Sequence, residues 1–399
     1  MLPKLVILSL KEEGQEMMSK MSKQEYLNEL RPKYKKAGRK QKSQLLSDFC
    51  DFSGYHRKHA LRLLNSPPRA SKKSSSCRRS RTYDQITINA LLVIWSASNK
   101  ICAERLQPYI PEMMEKLVEC RELEILPETK NKLLRISAST VKRIVHNEKN
   151  RSRIKIGGTT RPGSLLKSQI EIRYGRWKET DPGWCEADTV AHCGDSMKGD
   201  FVFSVDIVDI SSGWSEQEAI WGKGEMATTK GIDNMRSRLP FPLVGIDPDN
   251  GGEFINWSLY RYCLKHQINF TRSMPFHKND NAHVEQKNWT AIRQLAGYSR
   301  LDQKEHVSLL NDLYQNEWRL YLNFFQPIRK QKKSIRNLAT GKVVKQFDQA
   351  RTPYQRLMEH PKITERQREM LQSTYQQLNP VKLLAEIDRK VKLIERTLR

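Results

Sequence analysis

One stretch near the middle of the chain, residues 243–285, constrains the fold more than any other. It begins with a short apolar run that predicts a buried strand, and Asp247 and Asp249 follow where that strand should end. An Asn-Gly-Gly turn then predicts a helix over about 253–266, and another apolar run predicts a short strand over 268–271. Short strands that alternate with helices are typical of a mixed α/β sheet with helices on its faces.

Three acidic side chains around this stretch could form one site. Asp188 lies within an expected strand over 184–190, and Asp249 lies just past the carboxyl end of its own strand. Glu285 follows Asp249 after 35 intervening residues and falls in the first turn of a predicted helix. Open α/β sheets bind ligands at the carboxyl ends of their strands, and carboxylates are the ligands that Mg²⁺ prefers. The pattern therefore predicts a candidate acid cluster.

Each of these acids also has an ordinary structural explanation. The residues of Asp-Pro-Asp-Asn-Gly-Gly are ones that commonly form turns, whether or not they bind a metal. A Glu in the first turn of a helix interacts favourably with the helix dipole. Residues two apart on a strand share one face. The pattern alone therefore separates neither Asp249 from Asp247 nor Asp188 from Glu186.

Three short motifs occur in order here: Trp184 with Asp188-Thr189, then Asp249–Phe254, then Asn281 with Glu285. In this order and spacing they resemble the catalytic core of retroviral integrases and related insertion-sequence transposases. The resemblance covers about residues 178–300 and implies a ribonuclease-H-like fold. The longer string over 278–288 is closer to bacterial insertion-sequence transposases than to the viral enzymes.

The resemblance also implies the roles of the acids. It selects Asp188, Asp249 and Glu285 as the catalytic and metal-binding residues, and it leaves Asp247 and Glu186 as their neighbours. The implied cofactor is Mg²⁺, as two ions for which Mn²⁺ could substitute. Two ions of this kind can stabilise both the attacking and the leaving oxygen of a phosphoryl transfer.

The function that the resemblance implies is that of a DDE-type transposase of a bacterial insertion sequence. Such an enzyme would cleave DNA at the transposon ends and transfer the freed strand into target DNA. Its expected partners are double-stranded DNA, including terminal inverted repeats, and further copies of the chain in a homo-oligomer on DNA. Two alternatives stay open: a transposase-derived DNA-binding protein without catalysis, and a ribonuclease-H-like nuclease that cleaves without joining.

Charge and composition fit a nucleic-acid partner. The chain has 399 residues and a formal net charge of +25, which implies a polyanionic partner. Its sequence contains no run close to the roughly 20 apolar residues that a membrane span needs. Seven scattered cysteines form no C-x-x-C pair, which favours reduced thiols and a cytoplasmic location. For a bacterial transposase, as the resemblance implies, this location would be nucleoid-associated. No structural zinc is expected, because no cysteine pair follows His56 and His59 at zinc-finger spacing.

The chain begins with an N-terminal extension, 1–19, and a helix-turn-helix-like DNA-binding domain, 20–65. Helices are expected in this domain over about 23–30, 42–49 and 55–64. The first helix should end before Pro32, since the residue before a proline disfavours helical geometry.

The last of these helices carries the DNA-contact candidates of the domain. Its expected apolar stripe is Ala60, Leu61 and Leu64, and its outward basic side chains are Arg57, Lys58 and Arg62. The second helix of a helix-turn-helix motif lies in the major groove of DNA. An ordinary helical hairpin with a solvated basic face fits the same pattern.

A basic, serine-rich linker, 66–82, leads to a second helical DNA-binding domain over 83–150. Breaks are expected there at Pro108 and Pro111. The domain ends in a helix with outward basic side chains at Lys142 and Arg143. A second linker, 151–177, precedes the core.

Within the core, a buried strand is expected over 201–208 and a helix over 225–238. We interpret Asp206 and Asp209 as structural or peripheral. Glu285 should share one helix face with Trp289, Ile292 and Ala296 and pack on the sheet through them.

The residues around the Glu285 helix supply further phosphate-contact candidates: Arg272, His277, Lys278 and Lys287. Their charges could equally serve only to keep the preceding loop soluble. The remaining segment, 301–399, is expected to be mainly helical, without the strands of a β-barrel. It could cover the core, contact DNA or mediate multimer assembly.

Overall fold

The computed structural model of the chain describes residues 20–66, 82–149, 171–172, 181–249, 251–272, 284, 287–336 and 343–398. The chain divides into two compact units, Met1–Arg81 and Thr82–Arg399, here called unit 1 and unit 2. The predicted extension 1–19 lies outside the described residues, as does nearly all of both predicted linkers.

The described part of unit 1 consists of helices α1 (Lys20–Lys36), α2 (Arg39–Ser53) and α3 (Arg57–Asn65). Helix α1 continues through Pro32, so the predicted end before this proline is wrong. Burial of Leu30 and Tyr34, at 4% and 6% exposure, places apolar side chains on both sides of the proline. The free energy gained by this packing offsets the loss of the helical hydrogen bond that a proline cannot donate.

A turn separates α2 from α3, as the two predicted helices over 42–49 and 55–64 require, although α2 continues to Ser53. Gly54 ends α2 in the left-handed conformation, with φ 70°, which glycine adopts without steric cost. Ala60 and Leu64 are fully buried, whereas Leu61 is 41% exposed and its predicted burial is wrong. Leu63 packs against the core of unit 1 instead.

Unit 2 begins with helices α4 (Gln85–Ala97), α5 (Ala103–Glu119), α6 (Pro127–Leu134) and α7 (Ala138–Lys149). Helix α5 runs through Pro108 and Pro111, so the breaks predicted there are wrong. Its buried face extends from Leu106 to Leu117 and spans both prolines. Tertiary packing therefore outweighs the local cost of the two missing donors.

The sheet of unit 2 contains β1 (Glu171–Ile172), β2 (Trp184–Ala191), β3 (Val202–Asp209), β4 (Ser215–Trp221), β5 (Gly245–Pro248) and β6 (Asn269–Arg272). Its strand order is β1-β6-β5-β2-β3-β4. Strands β2, β3 and β4 pair antiparallel, whereas β5 is parallel to both β2 and β6. Helix α8 (Glu225–Arg238) connects β4 to β5, and helix α9 (Trp257–Lys265) lies between β5 and β6.

This mixed sheet, with an antiparallel meander followed by parallel strands and crossover helices, is a ribonuclease-H-like arrangement. The predicted α/β class with a ribonuclease-H-like core and helical N- and C-terminal regions is therefore confirmed. Alternate residues of the strands face two different layers. Cys185 and Ala187 pack with side chains of α8 and α9, whereas Val190 belongs to the larger core on the other face.

The chain after the sheet is mainly helical, as expected. It contains the π-helix π1 (Asn288–Arg293), α10 (Gln294–Ala296), α11 (Lys304–Leu313), the π-helix π2 (Tyr314–Trp318), α12 (Arg319–Phe325), α13 (Pro353–Met358), α14 (Glu365–Gln377) and α15 (Pro380–Thr397). An antiparallel hairpin of β7 (Gln331–Arg336) and β8 (Val343–Phe347), which the sequence did not predict, interrupts the helices.

Helices α4 to α7 share one hydrophobic core with the C-terminal helices. Tyr321 Oη of α12 donates to the carbonyl of Ala97 at 2.8 Å, and Lys116 Nζ donates to the carbonyl of Gln376 at 3.1 Å. The segment predicted as a second domain thus lies within unit 2 and contributes to its core. None of the helices in the described ranges is long and apolar enough to span a membrane.

Candidate active site

Two neighbouring parallel strands bring the first two predicted acids together. Ala187 of β2 is paired with Pro248 of β5, so the next residues along the two strands are Asp188 and Asp249. Trp184 fixes this pair of strands, because its ring lies over Gly245 of β5. A Cβ at position 245 would come within 2.3 Å of the ring. The parallel register of β2 and β5 thus places both carboxylates at the same edge of the sheet.

The Asp188 carboxylate is half-buried and lies close to other acidic side chains. Burial raises its pKa to about 7, and the neighbouring Asp249 contributes in the same direction. Asn288 Nδ2 donates to Asp188 Oδ2 at 2.6 Å, and the backbone N–H of Thr189 donates to Oδ1 at 2.7 Å. These two donors fix the orientation of the carboxylate.

The Asp249 carboxylate accepts a hydrogen bond from the backbone N–H of Gly251 at 2.9 Å. Glu253 lies close to it: a Cβ at position 251 would be 2.8 Å from Asp249 Oδ1 and 2.8 Å from Glu253 Oε2. The Glu253 side chain is 9% exposed and pairs with Lys223 at 3.8 Å. It also accepts from Thr189 Oγ1 at 2.9 Å.

Glu253 and Asn288 are site residues that sequence reasoning missed. Both lie inside the motifs that carried the resemblance, which was the available signal for them. Periodicity could not select them, because the contact of Glu253 depends on the shape of the turn after β5. The contact of Asn288 depends on the geometry of π1.

Two buried ionisable side chains, Asp206 and Lys287, interact electrostatically next to the acids. Asp206 of β3 is opposite Asp188 of β2, so both side chains lie on the same face of the sheet. Asp206 accepts from Gln217 Nε2 at 2.9 Å and from Ser215 Oγ at 3.1 Å. Burial raises the pKa of Asp206 and lowers the pKa of Lys287, while the charge of Asp206 counteracts the shift of Lys287.

Glu285 lies outside the described residues, and its place in the site stays a prediction. The residue before it in the sequence, Val284, is described and fully buried. Its backbone N–H donates to Glu186 Oε2 at 3.0 Å. This hydrogen bond to Glu186 thus holds Val284 next to strand β2.

The remaining acids near the site have hydrogen-bond partners of their own. Asp247 is fully buried and accepts from Thr271 Oγ1 at 2.6 Å. Asp209 accepts from the backbone N–H groups of Gly183 and Ser212 at 2.8 and 2.7 Å. These contacts stabilise the strand ends around Asp188 and Asp249.

The donor set fits a hard divalent cation. Asp188 and Asp249 supply carboxylate oxygens only, and their mutual repulsion would be relieved by a cation between them. Within the described part of the chain, no group of three or more His, Cys, Asp or Glu side chains is arranged to hold a metal ion. The third predicted ligand, Glu285, is outside that part.

The predicted DNA-contact residues differ in exposure. Arg57, Lys58, Arg62, Lys142 and Arg143 are exposed. Arg272 and Lys287 are buried, each at 6% exposure, and His277 and Lys278 lie outside the described residues. Lys142 also pairs with Glu104 at 3.5 Å.

The predicted apolar line along the Glu285 helix is wrong at Trp289. This side chain is 51% exposed, whereas Ala291 and Ile292 are fully buried. The reason is the π-helix π1, whose wider turn shifts the buried face relative to an α-helix.

No protein-family model matches the chain. It is similar to the uncharacterized protein y4rM of Sinorhizobium fredii (strain NBRC 101917 / NGR234), with 34% identity over 336 residues. The match covers 83% of this chain and 93% of that protein.

Solved structures with local similarity include three viral proteins. The catalytic core domain of HTLV-2 integrase, solved with magnesium in a dimeric form, has 19% identity and a TM-score of 0.26 over 40% of this chain and 92% of that one. The simian T-cell lymphotropic virus intasome with PP2A regulatory subunit B56 gamma has 15% identity and a TM-score of 0.32, covering 58% and 70%. The BIV integrase core has 17% identity and a TM-score of 0.28, covering 43% and 91%. The strand order of this chain by itself shows the ribonuclease-H-like fold.

Proposed function

The chain belongs to the same family as protein y4rM of Sinorhizobium fredii, and from the arrangement of its acids we propose that it is a DDE-type transposase of a bacterial insertion sequence. It would cleave DNA at the transposon ends and join the freed 3′ end to target DNA. The observation that carries this proposal is the pairing of Asp188 and Asp249 at one edge of a ribonuclease-H-like sheet.

Asp188, Asp249 and Glu285 are the proposed ligands of two Mg²⁺ ions, with Mn²⁺ as a substitute. Bound there, the ions would supply Lewis-acid stabilisation of the attacking and leaving oxygens of a phosphodiester. The all-oxygen donor set of Asp188 and Asp249 supports this choice of metal. The proposal that Glu285 is the third ligand is supported only by its spacing from Asp249 in the sequence motif.

Neighbouring side-chain and backbone donors orient the acids. Asn288 and the N–H of Thr189 fix the Asp188 carboxylate, and the N–H of Gly251 fixes that of Asp249. Rigid placement of ligands on and beside strands keeps their separation constant. Asp188 is half-buried, and the lower local dielectric strengthens the electrostatic interaction of its carboxylate with a bound cation.

Double-stranded DNA, in the form of terminal inverted repeats and target DNA, is the proposed substrate. The net charge of +25 supports a polyanionic partner. The exposed side chains of Arg57, Lys58 and Arg62 on α3 and of Lys142 and Arg143 on α7 are proposed to contact it. Joining two transposon ends requires two sites, so we propose that a homo-oligomer assembles on DNA.

The test is a cleavage and joining assay on duplexes made from the DNA that flanks the gene, where the proposal expects inverted repeats. With Mg²⁺ or Mn²⁺, the wild-type protein should nick the repeat end and form joined products with target DNA. Asp188→Asn, Asp249→Asn and Glu285→Gln should each reduce both reactions to background while DNA binding persists, because each removes one metal ligand.

Asp195→Asn is the matched control, since Asp195 is an exposed acid in the loop after β2. It should cleave like the wild type. Full activity in any one of the three other variants removes that acid from the site. Cleavage without joined products would favour a nuclease, and binding without any metal-dependent cleavage would favour a non-catalytic DNA-binding protein.

A further inference from the structure

The hairpin of β7 and β8 is exposed on both faces. All residues of β8 and all but Gln331 of β7 are exposed, including four large apolar side chains: Ile335, Val343, Val344 and Phe347. A two-stranded hairpin without further strands or a covering helix is marginally stable in water. Apolar exposure on such a hairpin therefore indicates a surface that a partner covers.

The base of the hairpin, in contrast, is fixed to unit 2. Ile328 and Arg351 exchange backbone hydrogen bonds at 2.8 and 3.1 Å, and the N–H of Asp348 donates to the carbonyl of Lys330 at 2.9 Å. The Asp348 carboxylate pairs with Arg356 at 2.7 Å, and both side chains are largely buried. The Lys330 ammonium donates to the carbonyls of Ile210 and Ser211 at the end of β3. The exposed strands therefore project from an ordered base.

The charge of the hairpin has one sign. The sequence from Arg329 to Phe347 contains seven Lys and Arg residues and no Asp or Glu. The basic side chains occupy both faces of the ribbon. Lys333 shares one face with Ile335 and Val344, whereas Arg336 and Lys345 lie on the other.

We propose that the hairpin of β7 and β8 is a DNA-binding arm that lies in the major groove of duplex DNA. The major groove admits a two-stranded β-ribbon, and basic side chains on both faces can reach the phosphates on either side of it. Ile335 and Val344 are suited to contact base edges such as the thymine methyl group. This arm goes beyond the proposed function and shares with it only the premise that the partner is DNA.

The main competing occupant of the hairpin is a second copy of this chain, paired through the free strand edges. Charge argues against it, because a chain with a net charge of +25 would repel an arm whose charged residues are all basic. A polyanion is the complementary partner.

The test compares two triple variants in their binding to a long duplex over a range of salt concentrations. Lys333→Ala, Arg336→Ala and Lys345→Ala are combined in the arm variant. Loss of about three phosphate contacts should reduce the slope of log K against log salt by about 2 to 3 and weaken binding at least about tenfold at ~0.1 M salt. The control variant combines Lys382→Ala, Lys392→Ala and Arg396→Ala on α15, which are also exposed. It should change neither quantity by a comparable amount.

A photo-crosslinking amino acid at position 344 identifies what covers the arm. Crosslinks to DNA are expected, and circular dichroism should show that every variant keeps its helix content. An unchanged salt slope in the arm variant, or crosslinks to a second copy of the chain in place of DNA, would overturn the proposal. Failure of the proposed catalysis is distinguishable, because it would appear as absent cleavage by the wild type while these binding differences persist.

Discussion

The geometry of the candidate site depends on the absence of a side chain at Gly251. Its N–H donates to Asp249 at 2.9 Å, and a Cβ at this position would be 2.8 Å from carboxylate oxygens of both Asp249 and Glu253. We expect Gly251→Ala to displace the Asp249 carboxylate and to lower metal-dependent cleavage about tenfold or more, since misplacement by about 1 Å can cost about a hundredfold. The initial rate of end cleavage is the measurement.

Gly224→Ala is the control for this substitution. A Cβ at position 224 would have no atom within 4 Å, so cleavage should stay at the wild-type rate. Equal rates for the two alanine variants would show that the Asp249 carboxylate tolerates the shift.

The residues of the site divide into those that strand periodicity can find and those that it cannot. Asp188 lies on one strand and Asp249 directly follows another, and apolar runs in the sequence predict both strands. The proximity of the two acids at the sheet edge could therefore be expected. Glu253 reaches the site through an irregular turn, and Asn288 through a π-helix. The sequence predicts Lys287 as a phosphate contact, but its side chain is buried and interacts electrostatically with Asp206. Sequence patterns could not predict this, because the two residues are distant along the chain and meet only in the folded structure.

At the scale of helices and strands, the errors of the sequence analysis have a common cause. Helices α1 and α5 continue through prolines because their apolar faces are buried, which local rules do not include. The strands around the acids were predictable, since each is a short apolar run bounded by turn residues. The hairpin of β7 and β8 was missed because its strands are basic and have no buried face.

Helix α5 carries a carboxyl group that makes the stability of unit 2 depend on pH. Burial raises the pKa of Glu112 to about 7, although Tyr375 and Gln355 donate hydrogen bonds to it. The folded state therefore holds this proton more tightly than the unfolded state does. Its contribution to stability is complete below about pH 4.5 and is lost as the pH rises to about 7, by up to about 3 kcal/mol.

Glu112→Gln should remove this dependence. The difference in melting temperature between variant and wild type should grow in favour of the variant from pH 5 to pH 8. Differential scanning calorimetry at several pH values measures it. A difference that is constant over this range would mean that Glu112 titrates normally.

At the scale of the whole molecule, the two units have separate cores. Phe49 is fully buried in the core of unit 1, whereas Phe324 is 2% exposed in a core of unit 2. We expect Phe49→Ala to cost about 3–5 kcal/mol and to unfold unit 1 alone, since the three-helix unit is small. Calorimetry should then show the loss or a large shift of one transition, with the other unchanged.

Phe324→Ala should have the reverse effect and shift only the transition of unit 2. A single transition that moves with either substitution would show that the two units unfold together.

The joining of α4–α7 to the C-terminal helices has a consequence for how the protein is made. Tyr321 reaches back to Ala97, and the chain at Gln376 reaches back to Lys116, across more than 200 residues of sequence. On the ribosome, the part of this shared core that the C-terminal helices cover must remain exposed until those helices emerge, which exposes the nascent chain to aggregation. A gene copy cut short before α14 would thus still yield the small N-terminal three-helix unit, but not a completely packed unit 2.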